Sequence, residues 1–207
     1  MSPVVHVVDD DDSARTAVLR LLGAAGYIAR GYGSAGEFLM MISDETPGCL
    51  VLDVRMPGPS GLELQEALAR RRSTLPVVFL TGYGDIPMSV RAIKAGAVDF
   101  LTKPVEREAL IRAVRSALER DARHRRNREQ GRALRERFDA LTPRERDVFV
   151  RVVSGKLNKQ IAADLGTAER TVKAHRAHVM EKLNVASVAE LVHVAEQLKA
   201  ATHTAGE

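Results

Sequence analysis

The sequence predicts two folds in tandem: an α/β doubly wound (βα)5 domain, then an all-α four-helix domain containing a helix-turn-helix. Three observations lead there. Short apolar runs alternate with helix-periodic segments through the first half of the 207 residues. A new domain opens on a helix-start signature, Thr142-Pro143-Arg144-Glu145. Charge also divides the chain: residues 1–116 carry 13 Lys/Arg and 14 Asp/Glu, whereas residues 117–207 carry 18 and 13. A near-neutral module followed by a basic one makes the second a candidate for an anionic partner.

The strands are expected at Val4–Val8, Ile28–Tyr32, Cys49–Leu52, Val77–Leu80 and Phe100–Leu101, each too short for a helix and apolar enough to be buried on both faces. Helical spacing falls between them: Ala17, Leu21 and Ala24; Leu62, Leu64 and Leu68; Val90, Ile93 and Ala97. Strands alternating with helices give a parallel sheet covered on both sides, with ligands at the carboxyl ends of the strands. Residues 1–120 form this domain. A last helix starts near Glu106, and its stretch at 121–138 is charged nearly all round, which predicts a solvated helical linker.

Residues 139–200 then supply the helical domain. Val148, Phe149, Val152 and Val153 point inward from a first helix. Asn158 is expected to cap a second helix, with Ile161, Ala162 and Leu165 inward and Gly166 ending it. A third helix runs from Glu169 to Leu183, and Ser187 with Glu190 caps a fourth. Residues 201–207 are expected to fray.

Several classes are excluded by composition. One cysteine, Cys49, forms neither an internal disulfide nor a cysteine zinc site. No run reaches the ~18 apolar residues of a membrane span. The first residues lack the basic and small-residue features of a secretory signal, so a cytoplasmic location is expected, with no membrane partner. Phosphate-loop and dinucleotide-binding glycine patterns are absent.

Asp9 and Asp10 end the first strand, Asp53 the third, Thr81 the fourth, and Lys103-Pro104 the fifth. A parallel sheet gathers them at one edge. Crowded carboxylates repel unless a cation neutralises them, and oxygen donors suit a hard divalent ion, Mg2+. Asp11 and Asp12 serve as a helix start. Carboxylates, a metal, a hydroxyl and an ammonium are the parts that phosphoryl transfer onto a carboxylate requires, with Asp53 as nucleophile.

These pieces (Val8-Asp9-Asp10, Leu52-Asp53-Val54-Arg55-Met56-Pro57-Gly58, Leu80-Thr81-Gly82 and Lys103-Pro104) resemble the receiver domain of a two-component response regulator. The resemblance implies that Asp53 is the phosphoacceptor. It implies that Asp9, Asp10, Asp53 and the Arg55 carbonyl hold Mg2+, and that Thr81 and Phe100 form a switch beside Lys103. A stretch from Gly84-Asp85 through Asp99-Phe100 resembles the FixJ branch. Receivers are then expected to meet around Val90, Lys94 and Asp99.

In the basic half, residues Asn158–Lys173 read as helix, short turn, helix, with the second helix in the major groove. With Val172, Val179 and Leu183 inward, Lys173, Ala174, Arg176 and Ala177 point outward. His175, His178 and His193 lack the cysteine and carboxylate company of a zinc site. The match resembles the LuxR-type DNA-binding domain, which implies base-facing Lys173, Ala174 and Ala177 and phosphate-facing Asn158, Lys159, Thr171 and His175. Ala168 stands where the family often has Ser, with Thr167 as a possible substitute cap.

The two resemblances together imply a FixJ/NarL-type transcriptional regulator. Its expected partners are a sensor histidine kinase, promoter DNA, RNA polymerase and, on phosphorylation, a second copy. It is not expected to be an enzyme beyond slow autophosphorylation from phosphodonors and self-dephosphorylation. Two alternatives compete. A phosphatase-type phosphotransfer enzyme would need Asp-x-Asp, but Val54 and Arg55 follow Asp53. A sigma-factor-like promoter-binding protein would not carry the first domain.

Overall fold

A computed structural model describes residues 2–43, 46–82 and 86–206. The chain forms two compact units, 1–125 and 126–207. In the first, strands β1 (Val4–Val8), β2 (Ala29–Tyr32), β3 (Gly48–Asp53), β4 (Val77–Thr81) and β5 (Asp99–Thr102) form one sheet in the order β2-β1-β3-β4-β5. Every neighbouring pair is parallel. Helices α1 (Asp12–Ala24), α2 (Ala35–Met41), α3 (Gly61–Arg70), α4 (Ile86–Lys94) and α5 (Arg107–Asp139) follow the strands in turn.

Alternation along the strands splits the core in two. Leu50, Leu52 and Phe79 pack with Phe38, Leu64, Leu68 and Ala92 of α2, α3 and α4. Val5, Val51 and Val78 face the other way, onto Val18 and Leu22 of α1 and Leu110 and Val114 of α5. All of β3 is buried, as a central parallel strand requires. Registry pairs Asp53 with Leu80 and Thr81 with Thr102, so the strand ends line up along one edge.

Helix phase departs from the sequence reading in two places. Ala17 and Ala24 are exposed and Val18 and Leu22 are buried, because the larger β-branched and leucine side chains take the core positions. In α4, Ala92 is buried while Val90 and Ile93 are about half exposed (44% and 47%). The close approach of α4 to the sheet favours the small residue inward. Gly84 and Asp85, part of the FixJ-like stretch, lie outside the described residues.

The second unit contains α6 (Pro143–Val153), α7 (Asn158–Leu165), α8 (Glu169–Leu183) and α9 (Val188–Gly206) around Val148, Val152, Ile161, Val172, Val179, Leu183 and Leu191. Thr142 and Glu145 close the expected capping box. Gly166 ends α7 in the left-handed region (φ 61°), which a glycine adopts without Cβ strain.

Three expectations are corrected. Residues 121–138 are helical but not solvated all round. Asp121 is buried and accepts from the Gly48 N–H (3.1 Å) and Arg125 Nε (2.9 Å), while Leu134 and Phe138, one turn apart, pack on the second core. Asn158 is not a cap: Leu157 holds that position, and Gln160 Oε1 accepts from its N–H (2.8 Å). Helix α9 continues through 201–206, since no proline or glycine precedes Gly206 to stop it.

Gly61 joins the fold to the strand ends. Its N–H donates to Val54 O (3.0 Å), and a Cβ there would lie 2.2 Å from the Asp53 carbonyl oxygen. Only hydrogen fits between α3 and the end of β3. Gly61→Ala should therefore destabilise the first unit by roughly 1–3 kcal/mol, the range for overpacking a filled site. Urea unfolding of the full chain, followed by circular dichroism, measures it.

Candidate functional site

Asp9 and Asp53 sit at the ends of the two central strands, 1% and 8% exposed. The Lys103 ammonium lies between them, donating to Asp9 Oδ2 (2.6 Å) and Asp53 Oδ2 (3.0 Å). Lys103 is placed by its own backbone, whose N–H donates to Thr81 O (2.7 Å), ahead of a cis Lys103–Pro104 bond. Asp11 caps α1 by accepting from the Ser13 and Ala14 N–H groups, and its own N–H donates to Asp9 Oδ1 (3.1 Å). The Arg55 N–H donates to Asp53 Oδ1 (3.4 Å). Thr81 is fully buried, and the half-buried Phe100 ring packs 6.1 Å from that of Phe79.

Burial pushes the Asp9 carboxyl above its ordinary range; hydrogen bonds from Lys103 and Asp11 offset only part of this. Burial alone would lower the Lys103 ammonium, but its bonds to Asp9 and Asp53 raise it instead. Asp9, Asp10 and Asp53 each bring a carboxylate oxygen within 4.8 Å of the others. An all-oxygen donor set of net negative charge, with Asp9 burdened by desolvation, fits a hard divalent cation such as Mg2+.

In the second unit α7, a turn closed by Gly166, and α8 form a helix-turn-helix. Lys159, Lys173, Ala174 and Ala177 are exposed; Asn158, Thr171, His175 and Arg176 are half-buried. Arg176 does not point freely outward. Its Nη1 donates to Asn158 Oδ1 (3.0 Å), tying α8 to the start of α7. No side chain caps α8, so Thr167 does not substitute for the missing Ser at Ala168.

Both units match known families. Residues 5–115 match the response regulator receiver domain and residues 139–195 the bacterial regulatory proteins of the luxR family. The chain belongs to the FixJ/NarL-type response regulators. Nodulation protein W of Bradyrhizobium diazoefficiens is 46% identical over 202 residues, covering 97% of this chain and 89% of that protein. The transcriptional regulatory protein FixJ of Azorhizobium caulinodans is 44% identical, covering 92% and 90%. Among solved structures, the response regulator StyR is 49% identical with a TM-score of 0.86, covering 95% of this chain and 100% of that one.

As a FixJ/NarL-type regulator, the chain is a phosphorylation-controlled transcriptional regulator, with a histidine kinase and DNA as its partner classes. Neither a phosphatase-type enzyme nor a sigma-factor-like protein is favoured, since the relatives are transcriptional regulators. Among the described residues, no helix is long and apolar enough to cross a membrane.

Two features of this regulator escape sequence reasoning. Arg15 donates to the Asp9 carbonyl and pairs with Asp12, steadying the turn that carries Asp9 and Asp10. An arginine six positions on, inside an acidic helix start, was the available signal. The second feature is Glu145, which is buried and accepts from Thr142 N (2.8 Å) and Lys182 Nζ (2.7 Å). It lies 3.7 Å from His178 Nδ1 and close to His175, so those histidines do have a carboxylate in company. Spacing could not reveal it, because the carboxylate comes from a different helix.

Burial would raise the Glu145 carboxyl, but bonds from Lys182 and Thr142 outweigh it and hold the group at about 2, against an ordinary 4.5. The unfolded chain therefore takes up this proton at higher pH than the folded chain does. The stabilisation is complete above about pH 4.5 and is lost as pH falls toward about 2. Thermal unfolding across that window should show the loss, and Glu145→Gln should flatten the dependence.

Proposed function

We propose that Asp53 is the phosphoacceptor and that its acyl phosphate drives the receiver toward a dimer that binds promoter DNA. The single observation that carries this reading is the Lys103 ammonium bridging Asp53 and Asp9 beside the buried Thr81. An Asp53 carboxylate oxygen attacks the phosphorus of the kinase's phosphohistidine. An O–P bond forms as the P–N bond breaks, and the imidazole leaves. Lys103 offsets charge on the transferred group and the Thr81 hydroxyl donates to one of its oxygens. Mg2+, when bound, supplies further positive charge at those oxygens; Asp9, Asp10, Asp53 and the Arg55 carbonyl are the groups that would hold it. Small phosphodonors serve the same attack slowly, and water removes the group slowly.

A phosphate shifts a two-state receiver only if it binds one state better. Thr81 moving toward the phosphate vacates space that Phe100 fills; a phenylalanine makes this move without a tyrosine's hydroxyl contact. The two lie next to α4, whose outward Val90 and Ile93 are apolar beside Lys94 and Asp99. That surface supports receiver pairing. Two paired DNA-binding units read a two-fold site, because the second contact becomes intramolecular. Lys173, Ala174 and Ala177 meet base edges. Asn158, Lys159, Thr171, His175 and Arg176 meet the phosphates, and the DNA-bound pair engages RNA polymerase as a further partner. The kinase and the promoter set the location as cytoplasmic.

Asp53→Asn should abolish base-labile labelling by a small phosphodonor with Mg2+, and should also abolish the monomer-to-dimer shift that beryllium fluoride produces in sedimentation. Full labelling of the variant rejects Asp53. A wild-type monomer that gains DNA affinity without pairing rejects the dimer.

Lys173→Ala should cost about 1–3 kcal/mol of binding on the preferred sequence if the ammonium reads a base edge. The preferred sequence is obtained by selecting random fragments on phosphorylated protein. A uniform loss across sequences with a shallower salt slope assigns Lys173 to phosphate instead.

A further inference from the structure

We infer that Glu145, His175 and His178 form a binding site for a borderline transition-metal ion of the Zn2+ class, where α6 packs against α8. The site is separate from the acidic pocket of the receiver and does not depend on the reading of Asp53.

The donors come from two helices. His175 and His178 are three residues apart on α8, so their imidazoles share one face. Glu145 comes from the first turn of α6. One donor atom from each of the three lies within 4.8 Å of the others, and His178 Nδ1 is 3.7 Å from Glu145 Oε1. With Zn–N and Zn–O distances of about 2.0–2.1 Å, ligand atoms around a tetrahedral ion lie roughly 3.3–3.4 Å apart. Closing the remaining gap falls to His178, whose side chain is 59% exposed and free to adjust its torsions.

The carboxylate is the fixed member. Thr142 N and Lys182 Nζ both donate to Glu145 Oε2, so the group is buried, oriented and held by a supporting shell before any ion arrives. Such outer contacts are what orient a ligating carboxylate. Oε1 receives neither of those bonds and is the oxygen nearest His178. The Lys182 ammonium stays on Oε2, the oxygen turned away from His178, so it supports the carboxylate without occupying the oxygen offered to the ion. Two imidazoles and one carboxylate suit Zn2+ and discriminate against Mg2+, which favours all-oxygen sets. Three protein ligands leave a fourth position for water or another small donor.

The test uses the full chain, stripped of metal by a chelator and then held in excess Mg2+ to occupy the acidic pocket. Calorimetric titration with Zn2+ should show one site. Co2+ in its place should give the visible absorption of tetrahedral coordination. His175→Ala and His178→Ala should each weaken Zn2+ binding at least about tenfold, since loss of even an outer-shell contact costs 10–100-fold. His193→Ala, which removes a histidine bonded to Gln197 on α9, should leave it unchanged. Both α8 variants alter side chains that are not fully buried, so circular dichroism should report intact folding. Absence of Zn2+ binding by the folded wild-type chain overturns the inference. So does binding that survives loss of both histidines.

Discussion

Two buried carboxylates face each other across the ends of β1 and β3, and the Lys103 ammonium lies between Asp9 and Asp53 and donates to both. At separations below 5 Å and an effective dielectric constant near 20, two like unit charges repel by about 3–4 kcal/mol. That is a large part of a domain's net stability of about 5–15 kcal/mol. Burial is the main cause that raises the Asp9 carboxyl, and the bonds from Lys103 and Asp11 offset only part of it. Three clustered carboxylates against one ammonium leave the pocket net negative, which suits it to a divalent ion.

The topology supplies this arrangement with little freedom for drift. The β2-β1-β3-β4-β5 order places the carboxyl ends of β1, β3, β4 and β5 side by side, so Asp9, Asp53, Thr81 and Lys103 arrive from four strands at one edge. Packing then fixes them. β3 is buried along its whole length, α3 begins in contact with the Asp53 carbonyl through Gly61, and Lys103 is tied back to Thr81 through its backbone. Phe100, the proposed switch residue on β5, is only half-buried by comparison.

How much of this was legible before the structure depends on which physics each residue answers to. Strand positions, the capping boxes at Thr142 and Ser187, and the gathering of Asp9, Asp53, Thr81 and Lys103 follow from local pattern plus the rules of parallel sheets. The phase of α1 and α4 did not follow, because size selection at a tight helix–sheet contact decides between Ala17 and Val18, or between Ala92 and Val90. Nor did the buried Asp121, which read as one more charge in a solvated run until Gly48, 73 positions away, supplied its partner. Glu145 was visible as a capping residue but not as a buried anion shared with Lys182 and flanked by two histidines. Long-range polar pairing leaves no periodic trace, and the corrections concentrate there.

The Arg176–Asn158 bond bears on how selective the recognition helix can be. A guanidinium that reads guanine must present its fork to the O6 and N7 edge. Here one arm of the fork is already donated to Asn158, and the side chain is half-buried against α7. In the proposed reading both residues act as a unit that ties the middle of α8 to the start of α7, suited to a backbone contact whose geometry is fixed in advance. Sequence discrimination in that reading passes to Lys173, Ala174 and Ala177, which are exposed. One flexible ammonium and two methyl groups make few direct contacts, enough for a guanine edge and neighbouring thymine methyls. A single half-site of this kind discriminates weakly. The proposed pairing of two units supplies the missing selectivity, because a two-fold site multiplies the preferences of its halves.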